Sequence, residues 1–198
     1  MRKLNILIVF VSLFFTAILQ AYSSDPKEFV TELVNDAINK LSDKSVSIEE
    51  KSKFIEEIAL ENVDINALSL YTLGELRKSS KKEELKKYQK VFEKYFLKTL
   101  TSRLSDYSSS KLEVLSAEQK SSNYTIVNSK IVPIDNSPEI KIDWRVYTKD
   151  PKNPLIRDLI IEGLSLARTQ KEEFNSVIQS ADGDVAALLT NLENFNLK

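Results

Sequence analysis

Two periodicities divide the chain. From Asp25 to Tyr107 apolar residues recur every three or four positions, whereas from Lys111 to Ile161 the period shortens towards two, so helices are expected first and strands after them. Asp25-Pro26-Lys27-Glu28 places a cap, a first-turn proline and a first-turn glutamate in order. Behind them Phe29, Val30, Leu33, Val34, Ala37, Ile38 and Leu41 form one stripe. Ser47 to Glu50 is a capping box leading into Phe54, Ile55, Ile58 and Ala59. Asp64 is expected to cap a short helix carrying Ile65, Leu68 and Leu73, which Gly74 ends.

Ser80-Lys81-Lys82-Glu83 reads as a further capping box, opening the longest helix, about Lys81 to Tyr107. Its inner face is wide and aromatic: Leu85, Tyr88, Val91, Phe92, Tyr95, Phe96, Thr99, Leu100, Arg103, Leu104 and Tyr107. That face fits an ordinary core helix or, alternatively, rings that line an apolar cavity. Its charges Lys81-Lys82 and Lys86-Lys87 read as a solvated face, with docking of a partner as the other reading.

Four strands are expected in the second half. Leu112, Val114 and Leu115 mark the first, Tyr124–Val132 the second, and Asp135–Pro138 a turn. In Glu139–Thr148 the alternation puts Ile140, Ile142, Trp144 and Val146 on one face, with Glu139, Lys141, Asp143, Arg145 and Tyr147 on the other. A proline-bearing turn at Asp150–Pro154 leads to Leu155–Ile161. Gly163 breaks this last strand, and Thr169 with Glu172 predicts a capping box for a helix to Gln179, followed by another from Asp184 to about Phe195. Helices, a block of sequential strands and helices again define an α+β fold around a four-stranded antiparallel meander.

Composition narrows the chemistry. The 198 residues suit one domain, and the 28 basic against 29 acidic residues offer no field for nucleic acid. With neither cysteine nor histidine, thiolate nucleophiles, His bases and Cys- or His-based metal sites are excluded. Arg2-Lys3, the apolar run Ile6–Leu19 and the small residues Ala21 and Ser23 read as a signal peptide over 1–23, cleaved before Ser24. The single mature domain, 24–198, then carries −3 rather than −1. The run is shorter than the ~20 residues of a spanning helix.

With these elements placed, the chain resembles the MlaC family, the periplasmic phospholipid-binding proteins also called the toluene-tolerance auxiliary component. The resemblance rests on Asp25-Pro26-x-x-Phe29-Val30, Val63-Asp64, Leu73-Gly74, Phe92-x-x-Tyr95-x-x-x-Thr99 and Arg103-Leu104-x-x-Tyr107. It continues through Asp143-Trp144-Arg145, Asp158-x-x-x-Glu162-Gly163-x-Ser165-Leu166 and Thr169-Gln170-x-x-Glu173-Phe174. Leu76 and Arg77, Pro154, Lys171 and Asp182 depart from the family pattern, at turns and edges.

The resemblance implies an NTF2-like fold whose N- and C-terminal helices cover the sheet and enclose an apolar pocket for acyl chains. It implies a periplasmic monomer that shuttles phospholipid between an outer-membrane lipoprotein–porin complex and an inner-membrane ABC transporter with an MCE-domain ring, maintaining outer-membrane asymmetry, with no cofactor and no catalysis. The expected lipid contacts are Phe92, Tyr95, Phe96, Leu104 and Tyr107 on the long helix and Val127, Ile131, Ile142, Trp144, Val146, Leu159 and Ile161 on the strands. Leu164 and Leu166 complete the set at the junction beyond them. Burying a ~16-carbon chain is worth on the order of 10 kcal/mol, so a carrier must offer an equally dry site. Two other readings stand beside this one. The first is an isomerase on the same fold, drawing an Asp base and Tyr donors from Asp106, Tyr107, Asp143 and Tyr95. The second is an interaction module with a solid core.

Overall fold

The computed structural model describes residues 22–104, 110–133 and 138–197. The expected signal peptide therefore lies outside the described residues except for Tyr22 and Ser23, as do Asp106, Tyr107 and most of the turn before Pro138.

Each early helix starts where its side chains can satisfy free backbone N–H groups. In α1 (Pro26–Ser42) the Asp25 carboxylate accepts from the amides of Lys27 and Glu28, at 2.9 and 3.0 Å. In α2 (Ile48–Asn62) Ser47 and Glu50 form the reciprocal box. Asp64 accepts from Ala67 N at 3.0 Å to open α3 (Ile65–Leu73). Gly74, at φ +63°, ends α3, and a Cβ there would stand 3.2 Å from Lys171 Cε. A 3₁₀ turn (Gly74–Lys78) leads to α4 (Lys82–Leu104). Here the expected box is displaced by one residue: Glu84 accepts from Lys81 N, and the Ser80 hydroxyl turns back to Leu76 O.

The strands are β1 (Ser110–Ser121), β2 (Tyr124–Pro133), β3 (Ile140–Tyr147), β4 (Leu155–Ile161) and β5 (Leu164–Ser165), antiparallel and paired in chain order. The fifth strand was not expected. It exists because Glu162 and Gly163 both take positive φ, +49° and +82°, the signature of a two-residue hairpin turn that folds the chain back on β4. Glu162 fixes this turn by accepting from Lys141 N at 2.6 Å. The last helices are α5 (Leu166–Gln179) and α6 (Val185–Leu197). Ser165, not Thr169, caps α5: its hydroxyl accepts from Arg168 N at 3.1 Å, while Thr169 sits inside the first turn and bonds back to Ser165 O. The capping-box spacing of Thr169 and Glu172 was therefore coincidental, and Glu172 pairs instead with Arg168.

Two apolar cores result. In the first, α1 lies across β1 and β2, placing Phe29, Val30 and Leu33 against Leu112, Val127, Ile142, Trp144, Val146 and Ile156. Fully burying such side chains is worth roughly 1.5–3 kcal/mol each. In the second, α3 to α6 pack together through Ile65, Leu73, Tyr88, Phe92, Phe174, Ile178, Leu188 and Leu192. Val63 packs against both and bridges Ile156, closing the free edge of β4.

Candidate functional site

The register of the strands decides which side chains share a face. Ile131 pairs with Ile140, Ser129 with Ile142 and then Ile161, Val127 with Trp144 and then Leu159, and Thr125 with Val146 and then Ile156. These rows form the inner face, as alternation had predicted for β3. In β1, Leu112 and Val114 lie opposite Ile131 and Ser129 on the same side, and a bulge at Leu115 shifts the phase so that Ala117, opposite Val127, continues it. Among the described residues this face carries no ionisable side chain.

Its one aromatic polar group is satisfied internally. The Trp144 indole N–H donates to Ser129 Oγ at 2.9 Å, and that hydroxyl donates to Ile142 O at 2.9 Å. Indole and hydroxyl are both buried, at 8% and 2% exposure, so the relay removes the penalty of burying an unpaired donor.

Cover over this face is uneven. Beneath α1 it is closed: Val127, Trp144, Val146 and Ile156 are all buried. Towards the β2–β3 and β4–β5 turns, Ile131, Ile140, Leu159 and Ile161 pack against the same core but are only half-buried, as is Val114 on β1. The dry floor thus extends past its helical cover as a ledge of branched aliphatic side chains.

The opposite face is polar and internally bonded. Asn128 donates to Asp143 at 2.8 Å and accepts from Ser116 at 3.0 Å. Asp158, buried although acidic, accepts from Ser165 Oγ at 2.6 Å and Ala167 N at 3.0 Å, with Arg145 at 3.5 Å. It ties β4 to the start of α5. Asp64 plays the matching part at the other end of β4: it holds Arg157 at 2.7 and 2.8 Å, and that guanidinium stacks 3.3 Å over the Tyr147 ring centroid.

The expected site residues divide between the two cores. Val127, Ile131, Ile142, Trp144, Val146, Leu159 and Ile161 share the inner face. Phe92, Tyr95 and Phe96 belong to the helical core, where Phe92 meets Phe174 edge-on at 6.1 Å and stacks on Phe96 at 6.2 Å. The aromatic helix therefore packs on α3, α5 and α6, and the element lying over the sheet is α1. Leu104 is half-buried at the end of α4; Leu164 and Leu166 stand on the surface, 69% and 39% exposed. Phe29, Leu33, Leu112, Val114, Ile140 and Ile156 were missing from the expected set, although the stripe of α1 and the strand alternation both contained them.

The helical core has its own polar details. Tyr88 OH and Thr72 Oγ1 lie 2.8 Å apart, and burial pushes the Tyr88 phenol well above the usual tyrosine range. Tyr95 donates to Gln170 at 3.1 Å, and burial raises its pKa too. A shallow groove of about 210 Å³ runs beside it, between α4, α5 and α6, lined by Tyr95, Phe174, Val177, Leu188, Leu192 and Phe195. A second concavity of about 420 Å³ lies at the β3–β4 turn, around Tyr147, Pro151 and Leu155. Neither opens on the sheet's inner face. Among the described residues no cluster of acidic groups could hold a metal ion, and no helix is long and apolar enough to cross a membrane.

A half-covered antiparallel sheet, apolar and uncharged inside, with a separate helical core beside it, defines the class: an α+β protein with an open apolar floor. More narrowly, the model of the family described as MlaC protein matches residues 27–194, and the chain belongs to that family. Among solved structures it is similar to a phospholipid-binding protein from Ralstonia solanacearum in complex with a phospholipid. The two are 18% identical, the match covers 88% of this chain and 97% of that one, and the TM-score is 0.72, which establishes the fold. No curated protein matches the sequence.

Proposed function

We propose that the protein is a periplasmic phospholipid carrier, exported by a cleaved signal peptide, which holds acyl chains on the inner face of its sheet. The observation that carries this reading is the ledge of Ile131, Ile140, Leu159 and Ile161, continuous with the core yet only half-covered. An apolar floor without an ionisable group matches an acyl chain and gives a reacting centre nothing to work with. The phospholipid held by the Ralstonia solanacearum protein of the same fold supports the choice of cargo. Membership of the MlaC family supports a place between an outer-membrane lipoprotein–porin complex and an inner-membrane MCE-domain ABC transporter, in the upkeep of outer-membrane asymmetry. Of the Asp and Tyr candidates for an isomerase, the two among the described residues lie away from this floor: Asp143 is on the opposite face and Tyr95 in the other core.

The test is the intact mass of the mature chain, purified natively from a periplasm, read without and with denaturant. Carriage predicts an added mass near that of a phospholipid, lost on denaturation. An apo mass that stays unchanged after incubation with vesicles would leave the interaction-module reading standing.

A further inference from the structure

Outside both cores, α4 carries a feature that cargo binding does not use. Lys82, Lys86, Lys90 and Lys94 recur at four-residue spacing, all are exposed, and none takes part in the ion pairs found among the described residues. Each step turns about 40° round the helix, so the four cover an arc of about 120° and a rise of about 18 Å, centred opposite Tyr88. Between Arg77 and Lys98 there are nine basic residues against Glu83, Glu84 and Glu93, and Glu84 is engaged by Lys81 N. Other nearby lysines are already held: Lys87 pairs with Glu193, and Lys98 donates to the carbonyls of Phe195 and Asn196. Residues 25–64 have the reverse balance, eleven acids against five lysines. A chain of formal charge −1 is therefore strongly polarised.

We propose that this lysine face of α4 docks on the surface of an anionic phospholipid bilayer. The side-chain chemistry selects that partner. Arginine suits the bidentate carboxylate pairs of protein interfaces and is enriched there, whereas lysine is depleted. A row of hydrated point charges without arginine matches a diffuse layer of headgroup charge, which demands no register. Docking of this kind leaves the sheet floor untouched and is independent of cargo.

The experiment is flotation with vesicles of phosphatidylcholine alone or with about one-third phosphatidylglycerol, at low salt and at about 150 mM. It compares the mature protein, the variant Lys82→Gln/Lys86→Gln/Lys90→Gln/Lys94→Gln, and a control with the same charge removed elsewhere, Lys44→Gln/Lys141→Gln/Lys149→Gln/Lys152→Gln. Circular dichroism confirms that all three are folded, and the native mass of each preparation reports its cargo. Binding is expected only to the anionic vesicles and should weaken with salt. The α4 variant is expected to lose at least about tenfold in partition, from two or more lysines at roughly fivefold each, while the control stays within about twofold. No partition on anionic vesicles, or an equal loss in both variants, would overturn the proposal. So would salt-sensitive self-association without vesicles that only the α4 variant abolishes, which would assign the face to a second copy. Because cargo is read on the same samples, loss of docking with lipid retained is distinct from a failure of lipid carriage.

Discussion

The Ser129–Trp144 pair predicts a non-additive stability loss. Ser129→Ala leaves the buried indole N–H without its acceptor at 2.9 Å and frees Ile142 O of its 2.9 Å side-chain bond, costing about 1–3 kcal/mol. Trp144→Phe removes the N–H together with part of the ring, at about 1–2 kcal/mol from lost apolar area, while Ser129 still bonds Ile142 O. Once Phe is present, Ser129→Ala strands no donor, so its cost falls to about 0.5–1 kcal/mol. The double variant should therefore retain about 1–2 kcal/mol relative to the sum of the single losses. Urea unfolding of the four proteins measures this directly, provided the slope of free energy on urea is unchanged. Losses that add to within about 0.3 kcal/mol would refute the relay and leave Trp144 as a purely apolar part of the floor.

Three further outcomes follow from the same contacts. Asp158→Ala should cost about 1–3 kcal/mol by thermal or urea unfolding, because it leaves Ala167 N and Ser165 Oγ without their acceptor at the β4–α5 corner. Stability should fall as pH rises past about 10: the buried phenol of Tyr88 has a raised pKa, so the folded state keeps its proton where the unfolded state loses it, and Tyr88→Phe should flatten that alkaline limb. Ile161→Glu, on the half-covered ledge, should leave the far-ultraviolet spectrum unchanged and lower the fraction of lipid-loaded protein in native mass spectra at least several-fold, since a charge on the floor must be desolvated against an acyl chain.

The sheet was legible because one period governed it. Strict alternation from Ile140 to Val146 assigned Trp144 to the inner face and Asp143 and Arg145 to the outer one, and the register bears this out. Helix starts were legible wherever a short polar side chain preceded a stripe, as at Asp25, Ser47 and Asp64. The fifth strand was not, because Glu162 at positive φ is a backbone conformation that a non-glycine residue seldom adopts. Nor was the partner of the aromatic helix. Periodicity shows that Phe92 and Tyr95 face something apolar, and only tertiary packing decides between the sheet and Phe174. The floor was thus partly read: Val127, Ile131, Ile142, Trp144, Val146, Leu159 and Ile161 were placed together, whereas Leu112, Val114, Ile140 and Ile156 were left out, and the aromatic rings of α4 were expected beside them although they pack in the other core. Ser129 was missed for a related reason, since a serine in the inward phase of β2 looks like a defect until the indole that needs it is placed opposite.

The central claim is that cargo lies on the inner face, and neighbouring residues of β4 test it. Ile161 shares that face with Ile142, whereas Ile160 pairs with Asp143 on the opposite one. A photo-crosslinking phenylalanine derivative placed at either position, activated in cells and followed by intact-mass analysis, separates the two faces by a single residue. A phospholipid adduct at position 161 and none at 160 is the predicted result. An adduct at 160, or none at 161 in folded protein, would contradict the account.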